Sequence, residues 1–307
     1  MPTKSILFIC TGNRFRSLSA ELLFKQYIQQ NKLKNWKVNS AGTIAKHKNI
    51  DPKTIETLNN LGISKINHIP QKISAKLLSQ HDVIVAMAQS HLDYLKKNFP
   101  SKHVILFNEL YNREKSSILD IEDEIKDYKT NRPAVDKKII KTVKEISQKI
   151  PQLFHNANER FYLFSDFVNG LKKHRNGYPF IILLETPKSI AFMSVDIPAK
   201  EDGHILIIPK KHYIDYAEIP APVLSEITKT IQIIGQAIRK HHGGYNILLN
   251  NGSDAGQFIF HSHFHIIPRT YHDGIKIEDW NHQGISIEKF INLNKKLLKQ
   301  IKTSSNE

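Results

Sequence analysis

A single cysteine, Cys10, stands in the 307-residue chain. One thiol excludes an intramolecular disulfide and any zinc site built from cysteines. Long hydrophobic runs are missing as well, and nothing approaches the roughly 18 apolar residues that a membrane span requires. The apolar stretch Ile6–Ile9 is short and leads into Cys10-Thr11-Gly12-Asn13-Arg14 rather than a small-residue cleavage site. It therefore predicts a buried strand, and with it a cytoplasmic protein. Internal repeats and low-complexity segments are absent. Acidic residues are the minority, 29 against 44 Lys and Arg, for a net charge of +15. That balance suits anionic ligands such as phosphates, nucleotides or nucleic acid. The lysines are scattered, however, so charge alone names no ligand. No helix-turn-helix, zinc-finger or stacking-aromatic signature supports nucleic-acid binding. With 40% hydrophobic residues the chain is normal for packed globular domains, and its length suits two of them.

The first half alternates strand and helix signals. Ser5–Ile9, Trp36–Asn39, Asp82–Met87 and Val104–Phe107 read as strands. Between and after them Leu18–Gln30, Thr54–Leu61, Ser90–Asn98 and Val135–Leu153 carry helical apolar spacing. Such alternation predicts an α/β unit, a parallel sheet with helices on both faces. The second half predicts an α+β unit. Its strands are Phe180–Glu185, Ile190–Val195, His204–Pro209, Tyr245–Leu249 and Phe258–Ile267, with helices at Phe161–Lys173 and Val223–His241. The polar run His155–Glu159 interrupts both patterns and places the boundary at Phe154–Arg160, giving domains 1–155 and 160–307. From Ile287 to Ile301 apolar residues recur on one helix face with lysines behind it, which predicts a helix docked on the second domain or between the two.

At the end of the first strand lies Cys10-Thr11-Gly12-Asn13-Arg14-Phe15-Arg16-Ser17, a C-x5-R-S loop opening a helix. Successive backbone N–H groups of Thr11, Gly12, Asn13, Arg14 and Phe15 with the helix N-terminus form a nest for a phosphate dianion. The same positive field favours the thiolate of Cys10, and Arg16 can grip two phosphate oxygens into the transition state. Gly12 and Asn13 tolerate positive φ, and Ser17 can donate to the sulfur when it leaves. This segment, extended by Ala20-Glu21, resembles the signature of low-molecular-weight protein tyrosine phosphatases. Ser40-Ala41-Gly42-Thr43, Asp51-Pro52, Leu61-Gly62-Ile63 and His81–Met87 with His91 follow in the same order, so the resemblance covers residues 4–153. It implies a general acid in a late loop: Asp123, with Asp120 as the runner-up. The sequence departs from the family where Glu124 replaces the Pro after that Asp, where Arg14 and Phe15 replace smaller residues, and where Leu18 replaces Pro. Thioredoxin-coupled arsenate reductases resemble this fold, but their relay needs cysteines that this chain lacks.

The second constellation is His261-Ser262-His263-Phe264-His265-Ile266-Ile267. In a strand, alternate residues share a face, so three imidazoles would line one side. A metal site and a nucleophilic histidine in a phosphate site both fit that pattern. Asn250–Gln257 directly precedes it, His204–His212 lies upstream, and Pro268-Arg269 follows. Together these resemble the histidine-triad nucleotide-binding family across residues 161–275. The resemblance implies that His263 attacks an α-phosphate to form a nucleotidyl intermediate, with His261 orienting it. It assigns His265, Asn250 and Gln257 to phosphate oxygens, His204 to the triad's flank and Asp196 to the ribose. The paired cysteines of a structural zinc site are missing, so a zinc-free domain without metal or other cofactor is expected, with pairing across a sheet edge into a homodimer.

The sequence thus predicts a bifunctional phosphohydrolase. Cys10 would cleave phosphomonoesters of proteins or small molecules through a thiophosphate intermediate. His263 would cleave nucleotide phosphoanhydrides or phosphoramidates. The alternative keeps only the nucleotide hydrolase, the first half being a phosphate-sensing module or a single-Cys arsenate reductase.

Overall fold

A computed structural model describes residues 3–46, 49–100, 102–198, 203–277 and 286–304. The first domain runs β1 Lys4–Cys10, α1 Arg16–Gln30, β2 Trp36–Gly42, α2 Pro52–Asn60, α3 Ala75–Ser79 and β3 Val83–Ala86. It continues through α4 Gln89–Asn98, β4 Val104–Leu106, α5 Phe107–Asn112, α6 Ile121–Glu124 and α7 Arg132–Ala157. The four strands form a parallel sheet in the order β2-β1-β3-β4. A parallel sheet is buried on both faces, which is why Ile6, Leu7, Phe8 and Ile9 form an unbroken apolar run. Ile6 and Phe8 pack with α1 and α7, whereas Leu7 and Ile9 pack with Leu78, Leu92 and Leu95 from α3 and α4. This alternation closes a three-layer α/β unit and leaves Cys10 at the carboxyl edge of the central strand. Ligands bind at that edge in open α/β sheets.

The predicted break at residues 154–160 is not a break. α7 passes through a single π-helical turn, Asn158–Tyr162, directly into α8, Leu163–Val168. Polarity in this stretch serves hydrogen bonds rather than a loop. Asn156 donates to the carbonyls of Leu110 and Tyr111, and Asn158 receives the Lys4 ammonium at 2.8 Å. Phe161 and Tyr162 pack into the first domain's core, joined there by Phe260 from the second. The Tyr162 hydroxyl accepts from the Ser5 N–H at 2.9 Å. The domains therefore share both a helix and a stretch of core.

The second domain adds a two-stranded hairpin, β5 His174–Arg175 and β6 Tyr178–Pro179. It then builds β7 Ile182–Glu185, β8 Ser189–Met193, β9 Ile205–Pro209, α9 Ala221–Ile238, β10 Gly244–Leu249 and β11 Phe264–Arg269. The antiparallel sheet has the order β10-β11-β9-β8-β7. α9 covers one face through Ile227, Ile234 and Ile238, and α8 covers the other through Phe164 and Phe167. The last strand begins six residues later than Phe258, where the pattern placed it. Phe260 N–H bonds the Arg160 carbonyl and Ser262 N–H bonds the Tyr213 carbonyl, so ladder pairing starts only at Phe264.

α10, Ile287–Ser304, forms as its spacing predicts, but its apolar face is not docked: Ile287 is 81% exposed and Leu297 58%. Among the described residues no helix is long and apolar enough to cross a membrane.

Candidate functional site

The loop after β1 is held by hydrogen bonds before any ligand arrives. Cys10 is buried, and its sulfur lies 2.9 Å from the Ser17 hydroxyl and 3.3 Å from the Asn13 N–H. Asn13 takes a left-handed conformation, φ 53°, that asparagine tolerates better than most residues. Its amide donates to Ser17 at 3.1 Å and to Ser40 at 2.7 Å and accepts from the Gln71 N–H at 3.0 Å. The Ser-Ala-Gly-Thr segment thus buttresses the loop from β2.

Gly42 explains the rest of that segment. A Cβ there would lie 2.5 Å from the Thr11 carbonyl oxygen and 3.0 Å from the Asn13 nitrogen, both backbone atoms with no flexible end to move. Gly42→Ala is expected to cost about 1–3 kcal/mol of stability, the usual range for overpacking. It should also lower turnover of p-nitrophenyl phosphate, because the displaced atoms belong to the Cys10 loop. Urea unfolding and p-nitrophenyl phosphate kinetics on the same sample check both effects.

Arg16 is almost fully buried. Its Nη1 donates to the Ile118 carbonyl at 2.8 Å, Nη2 is paired with Asp120, and Nε has no hydrogen bond among the described residues. The loop opens into a cavity of about 500 Å³ lined by Cys10, by the cations Arg14, Lys46 and Arg132, and by Asp51, Asp120, Glu122 and Asp123. Arg132, from the start of α7, grips Asp51 with two hydrogen bonds of 2.7 Å, and that contact holds the Asp51 carboxyl below its ordinary range. Arg14 reaches the Asn49 carbonyl at 3.3 Å along the rim. Both acid candidates sit on α6 or its cap rather than in an open loop. Asp120 caps α6 and pairs with Arg16, whereas one oxygen of Asp123 accepts the Asp120 N–H at 2.8 Å. On the other wall His91 lies 2.9 Å from the Thr11 hydroxyl. Burial, reinforced by Arg16 and opposed by Asp123, pulls His91 down to about 4.

Of the three histidines His261, His263 and His265, only His265 lies within a strand; His261 and His263 occupy the irregular run before it. Their hydrogen bonds nevertheless determine where the protons sit. The His263 Nδ1 donates to the His261 carbonyl at 2.7 Å, which leaves Nε2 as a lone pair. His261 Nε2 donates to the Pro209 carbonyl at 2.8 Å, fixing that ring behind His263. His204 Nδ1 donates to the Asp196 carbonyl at 2.6 Å, so its Nε2 accepts from His265 Nδ1 at 2.9 Å. This relay leaves His265 Nε2, which is buried and has no hydrogen bond among the described residues, as a lone pair too. Phe164 of α8 sets its ring edge-on to His261 and His263, with centroids at 5.9 and 5.5 Å.

The remaining residues are placed unevenly. Gln257 is buried with its amide donating to the Ile214 carbonyl and accepting from the Gly252 N–H, so it shapes the loop and keeps at most one N–H for phosphate. The Asn250 amide lies against Gly256 with no hydrogen bond among the described residues. Asp196 offers its carbonyl to His204 while its carboxylate is exposed and paired with Arg175 at 3.1 Å. Phe164, Arg175, Arg132 and Lys46 were not singled out by sequence. Each reaches its site from a distant element, and none carries a local signal.

Burial lowers all four histidines of the second site. His261 and His265 fall to about 3, His261 with help from His212 and His265 with help from His263 and His204. His263 and His204 shift the same way for the same first cause, each opposed by its carbonyl contact. A depressed histidine keeps the folded protein from binding the proton that the unfolded chain takes up below pH 6.5. Stability is therefore full above that pH and falls as the medium is acidified toward the folded values. For the fully buried His91 and His261, each should remove about 2 kcal/mol at pH 5, or about 4 kcal/mol together. Urea unfolding at pH 7 and pH 5 measures this, and equal stability at the two values would contradict neutral imidazoles in either site.

Known proteins match both halves. Residues 5–162 fit the low molecular weight phosphotyrosine protein phosphatase family, and residues 176–272 fit the HIT domain. An uncharacterized HIT-like protein of Methanocaldococcus jannaschii is 37% identical over 113 residues, 36% of this chain and 81% of its own. The adenosine 5'-monophosphoramidase of Saccharomyces cerevisiae is 35% identical over 126 residues, 41% of this chain and 77% of its own. Among solved structures, a low molecular weight phosphotyrosine phosphatase from Vibrio cholerae shares 26% identity over 51% of this chain and 97% of its own, with a TM-score of 0.44. The chain is a hydrolase that belongs to the low molecular weight phosphotyrosine protein phosphatase family in its first half and carries a HIT domain in its second.

Proposed function

We propose that the chain is bifunctional, with a phosphomonoesterase at Cys10 and a nucleotide hydrolase at His263. The observation that supports this reading best is that each half holds an oriented nucleophile: the Cys10 sulfur against the Asn13 N–H and the Ser17 hydroxyl, and the His263 ring with its Nδ1 committed to the His261 carbonyl so that Nε2 carries the lone pair.

In the first site the Cys10 thiolate attacks phosphorus, the loop N–H groups and Arg16 hold the oxygens, and the ester oxygen leaves with a proton. Asp120 is committed to Arg16, which leaves Asp123 as the donor of that proton, through the oxygen that makes no hydrogen bond. Water then attacks the thiophosphate, returning the proton to Asp123, and Ser17 donates to the departing sulfur. Arg14 and Phe15 form the rim and floor of the entrance. The substrate is a phosphorylated protein or small phosphoester.

In the second site His263 Nε2 attacks the α-phosphorus of a nucleotide and displaces the group beyond it, and water cleaves the nucleotidyl-imidazole. His261 holds the tautomer. His265 meets the phosphate only when its Nε2 gains a proton, which the arriving anion favours. His204 steadies it, the Asn250 amide faces the phosphate loop, and Asp196 takes the ribose once released from Arg175. An adenosine phosphoramidate is the first substrate to try, given the yeast relative's activity. β10 ends the sheet and exposes Ile247, so a homodimer would form there. Assaying p-nitrophenyl phosphate and adenosine 5'-monophosphoramidate with the wild type, and with each nucleophile replaced singly, tests the whole reading. Turnover of only one substrate would restrict the chain to that half.

A further inference from the structure

A second cleft, about 220 Å³, opens where the two domains meet. The phosphatase half supplies Glu109 of α5 and, just beyond that helix, Arg113 and Lys115. Arg160 enters from the π-turn, and the far wall is the loop 253–258 that leads into the histidines. Three cations thus meet two carboxylates, Glu109 in the lining and Asp254 on the loop beside Lys115.

Arg160 is 96% buried, the complement of its 4% exposure. Its Nε donates to the Phe258 carbonyl at 3.2 Å and its Nη1 to the Glu109 carbonyl at 3.0 Å, while Nη2 has no hydrogen bond among the described residues. Arg113 lays its guanidinium over the Phe258 ring at 4.4 Å, a stacking that leaves its N–H edge open. Lys115 is paired with Asp254 on the loop itself. Burial pulls Arg160 down to about 10 despite the neighbouring Glu109, so the cleft favours a compensating anion.

We propose that this cleft receives the anionic group beyond the α-phosphate of a nucleotide held at His263, a β-phosphate or longer polyphosphate. The phosphatase domain would then complete the nucleotide site of its neighbour, through Arg113 and Lys115, and the fusion has a structural purpose. The inference rests on the nucleotide reading of His263. The phosphate loop connects the two places, because residues 253–258 wall the cleft and run into His261 and His263. Arg113 and Lys115 are exposed, so their replacement leaves the core intact.

The test uses the full chain carrying His263→Asn, which blocks turnover, and measures ADP and AMP binding by titration calorimetry. ADP should bind about tenfold more tightly than AMP, the scale of a charge-assisted contact or two. Adding Arg113→Gln and Lys115→Gln should bring that ratio close to one. Equal affinities in the parent, or a preference that survives the double substitution, would overturn the cleft as a phosphate subsite. Failure of both nucleotides to bind would instead remove the nucleotide reading, and this inference with it.

Discussion

Cys10→Ser should lower p-nitrophenyl phosphate hydrolysis by about 10⁴-fold or more, the scale seen when a covalent nucleophile is removed. Adenosine phosphoramidate turnover in the same variant should stay within about twofold. Serine is nearly isosteric with cysteine, and the site is already lined with partners for a hydroxyl: Ser17 at 2.9 Å and the Asn13 N–H at 3.3 Å. The fold and the phosphate nest therefore survive, and only the nucleophile changes. A serine hydroxyl at this position has no adjacent general base to take its proton. Asp120 is bound to Arg16, and the imidazoles that touch the loop are committed elsewhere, His91 to the Thr11 hydroxyl and His68 to the Asn13 carbonyl. Phosphate binding should persist in the variant, so inorganic phosphate measured by titration separates lost chemistry from lost structure. Substantial residual turnover would mean that water, rather than sulfur, attacks phosphorus.

Much of this site is legible in sequence because its chemistry is local. Eight consecutive residues carry the nucleophile, the nest and Arg16, and the flanking strand and helix announce themselves by periodicity. What lies beyond the loop is legible only as motif. Ser40 and Gly42 are visible as part of a pattern, but their work, bonding Asn13 and letting β2 pass beneath Thr11, exists only once β1 and β2 pair. Arg132 and Asp51 are 81 residues apart, and no spacing rule joins them. The expected break in secondary structure misled for a physical reason. The polar run His155–Glu159 makes hydrogen bonds to β1 and α5 from within a helix, so polarity signalled contact and not a linker. The histidine strand misled for another. Alternation implies a shared face in a strand, but the run through His261 and His263 is held by the His261 ring on the Pro209 carbonyl and by the Phe260 and Ser262 N–H groups on the Arg160 and Tyr213 carbonyls, not by a strand ladder. The exposed α10 shows the limit of amphipathic patterning, which reveals an apolar face without naming what covers it.

His263→Asn should lower adenosine phosphoramidate hydrolysis by about 10⁴-fold or more and leave p-nitrophenyl phosphate hydrolysis unchanged within about twofold. The asymmetry of the triad makes this the informative position. His261 acts through its carbonyl and through its ring contact to Pro209, so its loss disturbs orientation. His265 is the end of a relay that begins at the Asp196 carbonyl, so its loss weakens phosphate contact. His263 and His265 each combine a donated Nδ1 with an Nε2 that has no hydrogen bond among the described residues, but the His265 Nε2 is buried at the end of the His204 relay. Asparagine keeps a donor for the His261 carbonyl and fits the space beside Phe164, but offers no basic nitrogen to attack phosphorus. Loss of nucleotide hydrolysis with retained nucleotide binding is the expected result. If His263→Asn still turns over at an appreciable rate and His265→Asn does not, the nucleophile is the wrong imidazole, and the lone pair at the end of the His204 relay becomes the attacking atom. Because the two domains share a helix and part of a core, the p-nitrophenyl phosphate rate in the same sample is the control that matters. A change there would show that the histidine site reports to Cys10 through α8 and α7.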